Sequence, residues 1–257
     1  MASLAKKCVV ITGASSEKGI GRAIAKRFAE NGASVLLIAD GTEQQLQQVQ
    51  RECRELKEAG QIEYRLFDLS EPAAPEEMIA EAERLFGRVD VLVNNAVLRA
   101  DCDFGNYTRE MFNKLIAVNV AAPFFASQAV VPIMRRQGGS RIIHVASQLS
   151  KVAYAKRALY GLTKAAIVHL TKSMAYELGQ HGIVVSSISP GPTLTQPIIK
   201  RLNADPEQAK RRLESYVPIG RFGEADEIAE VVLFLATTSA TYLHGEDICV
   251  DGGYTTH

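Results

Sequence analysis

The chain reads as α/β with a mostly parallel sheet, on three observations. Short apolar strands alternate with longer helical stretches from one end to the other. Most of those strands are aliphatic and β-branched without polar alternation, as strands covered on both faces are. The first of them runs straight into a glycine-rich turn that opens a helix.

The strands expected along the 257 residues are Cys8–Thr12, Ser34–Ala39, Ile62–Phe67, Val89–Val93, Arg141–Ala146, Ile183–Ser189 and Asp247–Val250. From Ile20 to Glu30, the residues Ile20, Ile24 and Phe28 recur at a helical period and define one apolar face. Thr42 to Glu58 is rich in Gln and Glu, which predicts a surface helix. Met111–Met134 and Tyr160–Leu178 are long and broadly apolar, so they should pack against something substantial. Pro190–Phe222 breaks the alternation with Pro190, Pro192, Pro197, Pro206 and Pro218, followed by charges at Lys210, Arg211 and Arg212. A long insertion of this kind is expected to cover an active site, and the charges to form a solvated helix face. With no repeat or linker in view, residues 1–257 are expected to form a single domain.

Lys plus Arg and Asp plus Glu both number 29, so nothing argues for nucleic acid or a charged membrane surface. Cys8, Cys53, Cys102 and Cys249 are scattered and the five histidines isolated, which fits a reduced cytoplasmic protein without a metal site. His144 belongs to a buried-looking strand. No apolar run approaches the roughly 20 residues that span a bilayer, and Cys8–Ile11 is too short for a signal peptide. The expectation is a soluble, cytoplasmic protein acting on a small molecule.

The turn is Thr12-Gly13-Ala14-Ser15-Ser16-Glu17-Lys18-Gly19-Ile20-Gly21. Glycines there let the backbone approach a pyrophosphate, whose charge meets the free N–H groups of the helix that follows. In the first strand–turn–helix of an alternating chain this favours dinucleotide binding. The second strand ends at Asp40, nineteen residues past Gly21. A carboxylate there accepts both adenosine ribose hydroxyls and repels a 2′-phosphate, favouring NAD over NADP; a turn acid is the alternative. Asp68-Leu69, after the third strand, places a carboxylate by the adenine or simply ends a strand.

The fourth strand ends in Asn94-Asn95-Ala96-Val97, whose small amides can satisfy backbone groups and shape a cofactor floor. Asn119 lies inside a long helix, where asparagine is a poor fit unless it has a partner. Ser147 ends the fifth strand, and Tyr160-x-x-x-Lys164 begins thirteen positions later. Residues four apart share a helix face, and an ammonium beside a phenol lowers its pKa from ~10. Tyr160 becomes a proton donor and acceptor near neutrality, while Ser147 points into the strand-end crevice. Pro190-Gly191-Pro192-Thr193-Leu194-Thr195 follows the sixth strand and could close over a nicotinamide. Gln148, Tyr154, Arg157 and Arg99 give the pocket polar walls, which points to a polyol, sugar or keto acid over a steroid.

In order, these motifs and the ending Asp251-Gly252-Gly253 resemble the short-chain dehydrogenase/reductase family over nearly the full chain. The resemblance implies a Rossmann-like, doubly wound sheet of about seven parallel strands with helices on both faces, and an NAD or NADP cofactor. It also implies a tetrad. Asn119 would hold a water leading to Lys164, Ser147 would bond the substrate oxygen, and Tyr160 would move the proton. Lys164 would bind the nicotinamide ribose and lower the Tyr160 pKa. A homotetramer is implied as well, with the long helices at one interface and Asp247–Val250 at another.

Two departures stand out. The glycine-rich turn is longer than the family's usual one, with five residues between Gly13 and Gly19, and Val97 stands where glycine is usual. The reading is therefore an NAD-linked alcohol–ketone oxidoreductase. An NADPH-linked 3-oxoacyl thioester reductase is the alternative, and a non-catalytic dinucleotide sensor a more distant one.

Overall fold

The computed structural model describes residues 3–207, 211 and 216–256. Its centre is a seven-stranded parallel sheet in the order β3-β2-β1-β4-β5-β6-β7. The strands are β1 (Cys8–Thr12), β2 (Ser34–Ala39), β3 (Ile62–Leu66), β4 (Val91–Asn94), β5 (Ser140–Val145), β6 (Ile183–Pro190) and β7 (Asp247–Val250). Helices cover both faces, which is why β1, β2 and β6 are apolar almost without interruption.

On one face α1 (Ile20–Glu30), α2 (Glu43–Arg54) and α8 (Ala225–Thr237) bury Phe28, Leu46 and Val232 against β1 and β2. On the other, α3 (Ala74–Phe86), α5 (Ala122–Arg136) and α6 (Ala158–Leu178) bury Met78, Val130 and Ala175. Because the order reverses between β1 and β4, the loops after these two strands part to opposite sides. The crevice between them is where open α/β sheets bind ligands.

The strand expectations hold to within a few residues. Val89 is excluded from β4 because Gln137 takes its backbone, accepting from its N–H and donating to its carbonyl, both at 2.9 Å. The Gln-rich helix begins where expected, with a capping box between Thr42 and Gln45, but ends at Arg54. Three helices went unmarked in the sequence reading: α3, α8 and α7 (Gln196–Ala204), the last inside the proline-rich segment. Lys210 and Arg212 lie outside the described residues; Arg211 is exposed and helical.

The expected helix over 111–134 is extended and interrupted. Thr108 caps α4 (Arg109–Ile116), and a π-helical turn at Ala117–Ala121 joins it to α5. One expectation is overturned here. Over 28 residues, Arg109–Arg136 is long and apolar enough by length and composition to cross a membrane, with a mean hydropathy of 1.6 in its most apolar window. Scattered polar residues such as Asn119 and Ser127 disguise this in the sequence. The helix's packing against α3 and the sheet accounts for much of that apolar surface.

Candidate active site

The crevice floor is built from β1 and β4. Gly13 adopts φ +71°, and a Cβ there would lie 2.8 Å from the Ala96 Cα, so only glycine lets the turn meet the fourth-strand loop. Asn95 stitches the two together. Its Nδ2 donates to the carbonyls of Thr12 (2.8 Å) and Gly13 (3.1 Å), while Thr12 Oγ1 accepts from the N–H groups of Asn95 and Ala96, both at 2.9 Å. Val97 needs no left-handed backbone, which among non-glycine residues falls at Lys6 and Lys156.

A cleft of about 370 Å³ runs over this floor and brings together Gly13, Ser15, Ser16, Gly19, Ile20, Gly21, Asp40, Asp68, Leu69, Asn95, Ala96 and Thr195. The residues fit a dinucleotide. The N-terminus of α1 carries no side-chain cap and no acid in its first turn, leaving its N–H groups for an anion. Asp40 is exposed at the cleft's edge. Asp68 is also tied into a strand-end turn, its Oδ1 accepting from Ser70 N (2.9 Å) and Ser70 Oγ (2.6 Å); these bonds hold its carboxyl below the usual range. The strand-end turn is thus present, and Asp68 also lies on the cleft wall.

A second cavity, of about 180 Å³, opens beside the first and shares Ile20, Asn95, Val97, Arg99 and Thr195 with it. Ser147, Tyr160 and Lys164 form its inner wall, with Gln148, Tyr154, Arg157, Pro190, Gly191 and Thr193 around them. Ser147 Oγ donates to Gln148 Oε1 (2.9 Å) and accepts from Leu149 N (3.2 Å). Lys164 is buried on α6 and its Nζ donates to the Val145 carbonyl at 2.7 Å, 5.9 Å from the Tyr160 ring centroid.

Burial alone would push the Tyr160 phenol up. The charges of Lys164 and Arg99 outweigh it, with help from hydrogen bonds to Ser147 and Arg99, and hold the phenol below its ordinary value. Burial pushes the Lys164 ammonium down, a phenolate at Tyr160 opposes that, and Arg99 adds to it. Both groups are thus held below their ordinary values, which brings the phenol closer to neutrality, a pattern suited to proton transfer.

Asn119 sits in the π-helical turn, where the widened backbone turns its amide to the neighbouring loop. Its Oδ1 accepts from Leu98 N (2.8 Å), and its Nδ2 donates to the Leu98 carbonyl (2.9 Å) and to Thr163 Oγ1 (3.2 Å). A small cavity of about 10 Å³ touches both Asn119 and Lys164, close to the smallest space that admits one water. His144 is fully buried, and burial pushes it down to about 3, with Lys164 adding to the effect. It is a neutral core residue.

The sequence reading missed several features of the cavity. Arg157 reaches the wall but pairs with Asp101 at 2.5 Å. Tyr154, Tyr216 and Tyr254 form an aromatic flank, with Tyr154 edge-on to Tyr216 and Tyr216 stacked on Tyr254. Tyr216 and Tyr254 are remote in sequence, and no local pattern marks them. Arg99, noted only as a polar wall, stands with its Cζ 5.6 Å from the Tyr160 ring centroid. Among the described residues no His, Cys, Asp and Glu group could hold a metal ion.

A parallel sheet with a crevice at the β1–β4 reversal, and a serine, a tyrosine and a lysine on the wall of the adjoining cavity, is an arrangement that the chain shares with a family of oxidoreductases. A family model described as enoyl-(acyl carrier protein) reductase matches residues 13–255. A 3α-hydroxysteroid dehydrogenase of Mediterraneibacter gnavus is 38% identical over 249 residues, 97% of each chain. A mutant short-chain dehydrogenase/reductase of Serratia marcescens superposes with a TM-score of 0.90 at 32% identity, covering 98% of this chain and 99% of that one. A 3-oxoacyl (acyl-carrier-protein) reductase of Agrobacterium tumefaciens, solved with NADP bound, gives 0.92 at 28% identity over 98% and 95%. The chain belongs to the short-chain dehydrogenase/reductase family, whose members here are alcohol–ketone oxidoreductases.

Proposed function

We propose that the protein is an NAD-dependent oxidoreductase that interconverts a secondary alcohol and a ketone on a small polar substrate. The observation that carries this reading is the meeting of Ser147, Tyr160 and Lys164 on the wall of the second cavity, which adjoins the cleft over the glycine-rich turn. Asp40, exposed at the cleft's edge, supports NAD, since a 2′-phosphate there would meet a like charge.

In this reading the bound nicotinamide takes up or supplies the hydride. Ser147 orients the substrate oxygen and Tyr160 moves its proton. Lys164 stabilises phenolate and offers donors to the ribose, while Asn119 lines the route from Lys164 to water. Gly13, Ser15, Ser16, Gly19, Ile20 and Gly21 hold the pyrophosphate end. Asp68, Leu69, Asn95 and Ala96 hold the adenosine and the floor, and Pro190, Gly191, Thr193 and Thr195 close over the nicotinamide. The whole chain acts as one catalytic domain in a reducing, cytoplasmic setting, with 190–222 covering the substrate.

Helices α4, α5 and α6 expose Phe112, Phe124, Phe125 and Leu162, and Phe234 and Tyr242 are exposed towards the C-terminus. This surplus supports a homotetramer. Light scattering tests it: a fully active species at 28.0 kDa would end that part of the reading.

An NADPH-linked 3-oxoacyl reductase is the second reading, favoured by the exposed Lys18 in the lengthened turn. A panel of alcohols and ketones with both cofactors, followed by nicotinamide absorbance, separates the two. Preference for NADPH with a 3-oxoacyl thioester would replace the first reading, and no turnover on any member would end both.

A further inference from the structure

Arg99 lies beside Tyr160, to which it is hydrogen-bonded, but its charge meets no carboxylate among the described residues. Its side chain lines both the cleft and the second cavity, and its Cζ lies 5.6 Å from the Tyr160 ring centroid. The neighbouring positive groups are occupied. Lys164 donates to the Val145 carbonyl at 2.7 Å, and Arg157 pairs with Asp101 at 2.5 Å. No described carboxylate forms an ion pair with Arg99.

Nor does Arg99 ride on a loose loop. On one side Asn119 grips both the N–H and the carbonyl of Leu98, at 2.8 and 2.9 Å. On the other, Asp101 is held by Arg157, and Cys102 donates its N–H to the Lys156 carbonyl at 3.2 Å. Two anchors therefore fix the backbone around a guanidinium that has no acid to bind, beside the tyrosine that faces the reacting oxygen.

We propose that Arg99 is a specificity-determining residue that pairs with a substrate carboxylate, so that the preferred substrates are 2- or 3-hydroxy acids and the corresponding oxo acids. This deepens, and rests on, the alcohol–ketone reading above. The reacting oxygen must reach Ser147 and Tyr160, and Arg99 stands against the same ring, which leaves room for only a short spacer between the carbinol carbon and the anion. A planar guanidinium matches a carboxylate with two parallel hydrogen bonds, an arrangement a neutral ester cannot draw on fully.

The test is a matched panel of 2- and 3-hydroxy acids, each beside its methyl ester, oxidised with NAD by the wild type, Arg99→Gln and Arg99→Lys. The wild type should favour acid over ester by ~10–100-fold in kcat/KM, the range of one charge-assisted pair. Arg99→Gln should slow acid and ester together, since it also removes a charge beside Tyr160, but should in addition raise KM for the acid alone and so bring the ratio close to one. Arg99→Lys should retain part of the ratio. Butyrate should inhibit the wild type competitively against the acid, butyramide should not, and the difference should vanish in Arg99→Gln.

A wild-type ratio near one overturns the proposal. So does an Arg99→Gln variant that slows acid and ester by the same factor and leaves their ratio unchanged, which would leave Arg99 only tuning Tyr160. A variant that weakens NAD binding with the ratio intact would reassign it to the cofactor. Turnover confined to neutral alcohols would remove the carboxylate assignment alone, whereas no turnover on any alcohol or ketone would remove the underlying reading together with it.

Discussion

Replacing Lys164 with Met isolates the electrostatic part of the proposed chemistry. Methionine keeps an unbranched chain in the buried site but removes the charge 5.9 Å from the Tyr160 ring centroid. At an effective dielectric of about 20, unit charges separated by this 5.9 Å ammonium-to-ring distance attract by about 3 kcal/mol, enough to move a proton equilibrium measurably. The sign is fixed by which form of Tyr160 the lysine favours. An adjacent cation stabilises phenolate and holds the pKa down, so its loss raises the pKa and alcohol oxidation needs a higher pH. With saturating cofactor, the alkaline-rising limb of kcat/KM for oxidation should therefore move to higher pH in the variant. Tyr160→Phe is the companion, expected to lose ~10²–10⁴-fold in rate and the limb with it. A Lys164→Met limb that stays in place, or moves down, would refute the assignment. A limb that survives in Tyr160→Phe would show that another group titrates.

Three further outcomes follow from the geometry. Asp90 is buried and accepts from Arg88, Lys7 and the Cys8 N–H; burial opposes its ionisation, but these partners win and its pKa lies below the ordinary value. Its contribution is present above pH ~4 and lost as pH falls through the folded value, so Asp90→Asn should cost about 1–3 kcal/mol in urea unfolding at pH 7. That gap should shrink below pH ~4, and a pH-independent gap would contradict the linkage. Gly13→Ala forces a side chain onto φ +71° and against the Ala96 backbone; it should cost roughly 1–3 kcal/mol and abolish the rise in Tm on adding NAD. Asp40→Arg should narrow or reverse the cofactor preference, measured as the ratio of kcat/KM with NAD to that with NADP; an unchanged ratio would move the determinant to Glu17-Lys18.

Where function needs a residue type in a fixed backbone setting, the sequence was readable. Gly13, Asn95, Ser147 and the Tyr160–Lys164 spacing each follow from a strand end or a helix turn, so local order was enough to place them. The strands were legible because their aliphatic runs reflect cover on both faces. The starts of α3 and α8 are marked by Pro75 and by the Glu224–Glu227 box, signals that lie in capping chemistry and not in apolar periodicity. The π-helical turn at Asn119 could not be read, since one residue's extra winding leaves no trace in periodicity. The setting of Arg99 was equally hidden. It depends on ties from Asn119 and Arg157, which come from distant parts of the chain and meet only when the sheet is assembled.

The β1–β4 seam has a consequence for how the protein is made. Strand β1 pairs with β2 after a single helical excursion, whereas its other edge waits for β4, whose pairing runs only from Val9–Val91 to Ile11–Val93. The unit β3-β2-β1 can therefore assemble on the emerging chain while the opposite edge of β1 is still bare. Such non-local parallel pairing is slow because the loop must close before contacts repay it. The floor of the cleft, where Asn95 and Ala96 bond to Thr12, straddles that late seam. In the proposed function a dinucleotide lying across it would bind only after closure, and would act as a clasp that draws the two halves of the sheet together by mass action. Cofactor supply would then govern the lifetime of the folded chain as well as its turnover.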